Sequence, residues 1–467
     1  MSLEAWRVAG LAALMAVWWL TEALPVPVTA LTPIAALPVL NVRSLQDAAS
    51  PYAHPLIFLF MGGFMIALAI ERWGLHRRVA LVVLRLFGTR PASLVAGFML
   101  VSAGLSMWVS NTATAVMMLP IGLSVITLLH KKWVTVLPER EGHAFSLALL
   151  LAIAYGASIG GLGTLIGTPP NALLAAFMSK TYGFEIGFGR WMLVGIPLVL
   201  IMLCVAWLVL TRIAFRVRSE PIAGADTVIA GELEKLGPMG AEEKRVAAVF
   251  AIVALLWIFR PLIAKAIPGL SDPGIALLGA VALFTIPAGP GKGRALMNWD
   301  WAKRLPWGVL ILFGGGLSLA SAIQGSGLAA LIGKWLEAGQ ALPLAAIIVM
   351  VVAVVVFLTE LTSNTATTAV FLPVVAAFAA TIALNPLMLT VPAALAASCA
   401  YMLPVATPPN AIIFSSERIT VPDMVRAGFL LNLVAIGLIV AAAYSLLMLV
   451  FGVDPEVVPD WATIGAS

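Results

Sequence analysis

Ser110-Asn111-Thr112-Ala113-Thr114, followed by Leu119-Pro120, and Ser363-Asn364-Thr365-Ala366-Thr367, followed by Leu372-Pro373, are one phrase written twice. In each copy the proline stands ten positions after the serine, and each copy lies inside a long apolar run. Hydroxyl and amide groups in such a run are costly to bury unless something satisfies them. A matched pair of these stretches points to one site assembled by two halves of a chain.

The composition around them sets the class. The 467 residues are 61% hydrophobic and 10% charged, with mean hydropathy +1.05, where a soluble domain carries about 25% charged residues. Continuous apolar runs, many near the roughly 20 residues that cross a bilayer as helix, indicate an all-α polytopic membrane protein. A β-barrel would show short alternating segments instead. The net charge of +5 reads as loop charge near lipid rather than nucleic-acid binding. Cys204 and Cys399 lie in apolar spans without metal-ligand spacing and read as buried small residues. The first apolar run, 6–24, ends in Thr21-Glu22 and Pro25 rather than at a small-residue cleavage site, so it reads as a retained helix.

In order, the expected spans are 6–24 and 26–42, paired around Pro25 and Pro27, then 56–70, a basic amphipathic piece 76–90, and 93–129, broken at Ser110-Asn111-Thr112. A polar loop at 130–143 leads to 145–178, broken at Gly167-Thr168-Pro169-Pro170-Asn171, and to 191–215. Residues 216–245 are the charged midpoint linker. The second half gives 246–267, 273–286, 306–323, an amphipathic piece 328–337, 342–382 broken at Ser363-Asn364-Thr365, 389–414 broken at Ala406-Thr407-Pro408-Pro409-Asn410, and 424–451.

The halves repeat. Phe60-Met61-Gly62-Gly63, Gly74-Leu75 and Ser110-Asn111-Thr112 return as Phe313-Gly314-Gly315-Gly316, Gly327-Leu328 and Ser363-Asn364-Thr365, each displaced by 253 positions. The Pro-Pro motif is displaced by 239, and the 14-residue difference matches the polar loop in size. Constant-offset similarity signals internal duplication, and transporters commonly contain inverted repeats whose broken helices meet near the bilayer midplane. Treating 93–129 and 342–382 as re-entrant hairpins leaves ten crossings, five per half, which inverts the second half. With the first span starting outside, 20 of the 27 basic residues fall on the inner side, the bias expected of inner loops. The first hairpin mouth then faces inside, the second outside, and both termini lie outside.

At a hairpin tip, Ser-Asn-Thr precedes a helix whose first N–H groups are unpaired and carry partial positive charge, a setting for an anion. Serine, threonine and asparagine also favour N-cap positions, and asparagine adds a carbonyl oxygen that can face a cation. In the Pro-Pro motifs two residues lack N–H and the preceding residue is pushed to extended backbone, which frees the Gly167 and Ala406 carbonyls to ligate a hard cation such as Na⁺. A single Ser-Asn-Thr could be an ordinary capped helix and a single Pro-Pro a kink, but duplication of both in the same order favours a binding site. The glycines at 62–63 and 314–316 read as close helix packing. Glu22 and Glu360, beside apolar runs, are functional candidates, and Glu22 reads equally well as a helix-end residue. His54, His76, His130 and His143 fall in loops or interfacial pieces, away from any proton relay.

These motifs, with the opening Trp18-Trp19-Leu20-Thr21-Glu22-Ala23-Leu24-Pro25-Val26-Pro27-Val28-Thr29-Ala30-Leu31 and with Thr359-Glu360-Leu361-Thr362 ahead of the second Ser-Asn-Thr, resemble the divalent anion/sodium symporters, the sodium-coupled dicarboxylate, citrate and sulfate carriers. The resemblance spans nearly the whole chain. It implies a homodimer working by an elevator motion, with a scaffold domain and a transport domain that carries both hairpins. It implies one sodium site at Ser106, Ser110, Asn111 and Gly167, and a second at Thr359, Thr362, Asn364 and Ala406. It implies anion contacts from Ser110, Asn111, Thr112, Thr168, Pro169, Ser363, Asn364, Thr365, Thr407 and Pro408. The amphipathic pieces fall where the family has arm helices. Family members usually carry a further membrane helix ahead of the Trp-rich span, at which this chain starts.

The resulting division is 1–92 scaffold helices and arm, 93–215 transport elements, 216–245 cytoplasmic linker, 246–341 scaffold and arm, 342–451 transport elements, and 452–467 external tail. A buried dianion needs compensating charge, yet no Lys or Arg lies within or next to any of the four motifs. Helix ends supply only partial charge, so co-bound cations are the expected remainder. The family's exchangers tend to place a basic side chain there instead. The expectation is a sodium-coupled importer of C4-dicarboxylates (succinate, fumarate, malate) in the plasma (inner) membrane, without an organic cofactor. The alternatives are a sodium-coupled citrate or sulfate carrier, a sodium-independent dicarboxylate exchanger, or, from another class, an anion channel. No metal cluster, nucleophile–base set or nucleotide loop in the sequence suggests an enzyme.

Overall fold

The computed structural model describes residues 2–133, 139–217, 225–289, 294–335, 342–455 and 457–463. Among them every regular element is helical, with one isolated bridge between Pro287 and Ala295. Helix α1 (Leu3–Thr21) starts on the Ser2 hydroxyl, which accepts from the Ala5 N–H (3.1 Å), and stops where Glu22 turns left-handed at φ 50°. The expected single span 26–42 is instead a one-turn helix, Val26–Thr29, followed by α2 (Thr32–Val39). Pro27 and Pro33 sit in first turns, where a missing N–H starts a helix more readily than it continues one.

Then come α3 (Pro55–Arg72) and the amphipathic α4 (Leu75–Leu84). The hairpin α5 (Pro91–Ser106) and α6 (Asn111–Trp133) follows, then the broken pair α7 (Glu139–Gly161) and α8 (Pro169–Tyr182), and α9 (Phe188–Leu208). The linker carries α10 (Ala225–Leu236). The second half runs α11 (Ala241–Ile263), α12 (Asp272–Thr285), α13 (Trp307–Gly325), α14 (Leu328–Trp335), the hairpin α15 (Leu344–Thr359) and α16 (Asn364–Thr381), the broken pair α17 (Leu387–Ala397) and α18 (Pro408–Phe414), and α19 (Val421–Ala442).

The order of elements therefore repeats, with α3 to α6 answered by α13 to α16. The expected polar loop 130–143 is shortened from both sides, because α6 runs to Trp133 and α7 begins at Glu139; residues 134–138 lie outside the described residues. So do 336–341, which include the end of the amphipathic piece 328–337. Among the described residues eight helices are long and apolar enough to cross a bilayer; one of them, Asn364–Thr381, is a hairpin arm. The expected crossings at 26–42, 273–286 and 389–414 consist of shorter or interrupted helices. Cys399 is buried as expected, but Cys204 is exposed. It sits on α9, which is apolar and only half covered by the rest of the protein, a surface suited to lipid.

Glycines set the closest helix contacts. A Cβ on Gly156 or Gly160 of α7 would lie 2.5 Å from the Met99 carbonyl oxygen or 2.2 Å from that of Ala103, both on α5. A Cβ on Gly62 would lie 2.6 Å from the Ala276 backbone, and one on Gly315 would lie 2.3 Å from the Ala30 carbonyl oxygen. The two glycine runs are packing surfaces, as the sequence suggests. The halves interlock, since α8 packs on α16 and α18 packs on α6. At the centre the buried Tyr155 hydroxyl donates to the Tyr401 carbonyl at 2.7 Å.

Candidate substrate and cation site

Both tips are built alike. The Ser106 hydroxyl at the end of α5 donates to Asn111 Oδ1 at the start of α6. At the same spacing the Thr359 hydroxyl donates to Asn364 Oδ1 (2.7 Å), and it also lies 3.0 Å from the Ala397 carbonyl oxygen. Three oxygens therefore share one proton at the second tip. Such a donor-poor set of hydroxyl, amide and carbonyl oxygens suits a hard cation. The Thr362 hydroxyl does not join it, being bonded to the Leu358 carbonyl (2.9 Å) and paired with Thr367 Oγ1 (2.7 Å). Ser110 caps α6 by accepting from the Ala113 N–H (3.2 Å), whereas Ser363 makes no side-chain cap to α16.

The broken helices are held open by their asparagines. Asn171 Nδ2 reaches the carbonyls of Gly161 (3.2 Å), Leu162 (3.3 Å) and Thr164 (2.9 Å). Asn410 Nδ2 reaches those of Ala400 (3.4 Å) and Leu403 (3.0 Å), again ten and seven positions back. Each amide thus ties together carbonyls of the interrupted stretch, of which Leu162 also accepts from Trp191 Nε1 and Leu403 from the Ala406 N–H. Thr168 and Thr407 are extended (φ −143° and −142°), as expected before proline, and α8 and α18 start at Pro169 and Pro408. The breaks begin well upstream of the Pro-Pro motifs, at the ends of α7 and α17. The Thr168 and Ser398 hydroxyls, 3.3 Å apart, join the two broken helices.

Glu360 anchors the second break. Its Oε1 accepts from the Tyr401 N–H (2.7 Å), the Met402 N–H (2.9 Å) and Asn432 Nδ2 (2.7 Å), and its Oε2 accepts from the Leu403 N–H (3.0 Å). At the 253-residue offset the first half has Met107 in its place. There the corresponding Leu162 and Gly163 N–H groups bond to the Ile159 and Gly160 carbonyls instead. Glu360 is therefore a positioning residue for the unwound segment that leads to Ala406 and Thr407.

These elements converge on one cavity of about 780 Å³. Ser110, Asn111, Thr112, Gly167, Thr168, Pro169, Thr362, Ser363, Asn364, Thr365, Ala406, Thr407 and Pro408 all line it. Ser106 and Thr359 do not; both are fully buried behind the asparagines they bond. The starts of α6, α8 and α16 meet there, so the cavity wall carries several positive helix ends. Glu22, Glu71 and Arg304 also line the cavity. The sequence flags Glu22 alone among these, and nothing near Glu71 or Arg304 marks them, because they meet only through the fold. The tips differ in cover. Leu361 is 70% exposed, while Trp108 at the first tip stacks on Phe188 and Trp257 (6.0 and 6.5 Å between centroids) and meets the edge of Phe250 (4.9 Å).

Gly161 tests the fit of a cation at the first tip. A Cβ there would lie 3.1 Å from both Asn111 Oδ1 and the Gly167 carbonyl oxygen. The missing side chain leaves a cradle into which those two oxygens point, with Ser106 Oγ bonded to one of them. Gly161→Ala is expected to fold and to raise the sodium concentration for half-maximal transport about tenfold, the effect of roughly 1.4 kcal/mol of lost cation binding. A sodium titration of uptake measures this, and an unchanged midpoint would remove the cation from this cradle.

A bundle of helices long and apolar enough to cross a bilayer, with a polar cavity between doubled hairpin tips and helix breaks, has the architecture of a membrane transporter. A family model described as the sodium:sulfate symporter transmembrane region matches residues 1–453, and the chain belongs to that family. Among similar proteins, the Staphylococcus aureus sodium-dependent dicarboxylate transporters SdcS of strains USA300 and N315 are each 44% identical over 444 residues, 94% of this chain and 85% of theirs. Two solved structures share the fold at 13% identity and TM-score 0.61. They are the Alcanivorax borkumensis YdaH transporter, covering 94% of this chain and 98% of that one, and Neisseria gonorrhoeae MtrF, covering 92% and 88%.

Proposed function

We propose that this protein is a sodium-coupled symporter that imports C4-dicarboxylates such as succinate, fumarate and malate across the plasma (inner) membrane. The observation that carries the reading is the pair of matched hydroxyl–asparagine clusters, Ser106–Asn111 and Thr359–Asn364, set behind a cavity that helix starts face. Sodium binds at Ser106, Ser110, Asn111 and Gly167, and at Thr359, Thr362, Asn364 and Ala406. Thr362 contributes its carbonyl, since its hydroxyl is engaged elsewhere. The dianion lies between the tips, on Ser110 to Thr112 and Ser363 to Thr365, with Thr168, Pro169, Thr407 and Pro408 closing the ends. Each sodium fixes one asparagine and so completes the anion site, which makes the two affinities reciprocal. The name of the Staphylococcus relatives supports sodium and dicarboxylate.

Inverted repeats, both termini outside, a cytoplasmic linker, a homodimer and elevator motion of the hairpins and broken helices complete the proposal. The charge bias supports that orientation. The cavity then opens inward, because it is lined by the ends of α1 and α3 and by the approach to α13, all of which that orientation puts inside. The family description favours sulfate as a second reading, but a cavity of about 780 Å³ is generous for so small an anion. Uptake of labelled succinate into proteoliposomes should be saturable and should fall to background without a sodium gradient. Uptake indifferent to sodium would remove symport, unsaturable flux would indicate a channel, and stronger competition by sulfate or citrate than by malate would reassign the substrate.

A further inference from the structure

We propose that Arg304 is a carboxylate-docking residue on the cavity wall, reached by substrate from one face of the membrane only, and that Glu71 is its competitor within the protein. This rests on the reading of the cavity as a dicarboxylate site. Arg304 is the one basic side chain lining the cavity among the described residues. Its Nη2 lies 3.3 Å from Glu71 Oε1, and its guanidinium sits over the Trp301 ring, 4.3 Å from the centroid. Stacking on Trp301 leaves the guanidinium's N–H groups free to turn toward an anion. The ion pair is half in solvent, with side-chain exposures of 52% and 28%, so exchanging one carboxylate for another costs little.

The repeat makes this device one-sided. The Ser-Asn-Thr residues that line the tips recur unchanged at the 253-residue offset. Glu71 and Arg304 do not, for their counterparts are Gln324 and Pro51. Neither Gln324 nor Pro51 lines this cavity. Arg304 precedes α13 and Glu71 ends α3, outside both hairpins and both broken helices. A carrier that presents one site alternately to two faces therefore meets this guanidinium on one face and no matching charge on the other.

The test measures apparent affinity for succinate separately at the two faces, in whole cells expressing the full chain and in inverted membrane vesicles. Arg304→Gln should weaken apparent affinity about fivefold at one face and leave the other unchanged, in keeping with a solvated charge pair. Glu71→Gln frees the guanidinium and should strengthen affinity at that same face. Arg304→Lys should restore part of the loss. An Arg304→Gln effect equal at both faces, no effect at either, or the same sign for Arg304→Gln and Glu71→Gln would overturn the proposal. Wild-type vesicles that carry no succinate would instead overturn the dicarboxylate reading, and this proposal with it.

Discussion

Asn111→Ala and Asn364→Ala should each cut sodium-dependent dicarboxylate uptake by about 100-fold or more while the protein still folds. Each asparagine stands at the first position of a helix facing the cavity, and its amide oxygen accepts from a buried hydroxyl. On the proposed assignment, alanine removes that oxygen from the cation and the amide from the anion. An interaction with a charged partner is worth about 1.5–3 kcal/mol, and losing it for both ions multiplies the deficits. Folding should survive, because alanine is a good helix former at a partly exposed position. The check separates the two effects. Wild type should gain thermal stability as sodium rises, since a ligand of the folded form stabilises it, and each variant should lose most of that gain. A variant that kept wild-type sodium dependence would show that the cation sits elsewhere.

Glu360→Ala should be the most destabilising single substitution in the second hairpin and broken helix. Its carboxylate is 3% exposed and holds three consecutive backbone N–H groups and the Asn432 amide. Without it those donors face a buried protein interior, at about 1–3 kcal/mol for each one left unpaired. A loss of more than about 3 kcal/mol is expected after relaxation. Glu360→Gln retains one acceptor oxygen but sets an N–H₂ group against remaining donors, so it should fall between. Because the unwound segment leads into Ala406, Glu360→Gln should also weaken sodium binding at the second site while sparing the Gly161 cradle. Melting curves with and without sodium read both consequences. Glu360→Ala with wild-type melting and transport would make the carboxylate dispensable.

Much of this site could be read from the chain because duplication wrote it twice. Asparagine, hydroxyl and Pro-Pro positions recur at fixed offsets, and the Ser-Asn-Thr and Thr-Pro residues among them are brought to a single cavity. The helix breaks were visible in the prolines, though not their extent, because the unwound backbone is held from a distance by Asn171, Asn410 and Glu360. Arg304 and Glu71, 233 positions apart, carry no local signature and meet only through tertiary structure. Cys204 escaped for a related reason: an apolar stretch does not say which helix face meets lipid and which meets protein.

The unequal cover of the two hairpin tips has an energetic meaning of its own. An indole and a leucine occupy equivalent places at the repeat offset, yet Trp108 is stacked among three aromatic rings while Leu361 stands in the open. Aromatic pairs contribute about 0.5–1.5 kcal/mol each beyond the area they bury. A rearrangement that exchanged the two environments would give up those contacts at one tip and recover only aliphatic burial at the other. In the alternation proposed for the two hairpins, one end is therefore favoured by a single side chain.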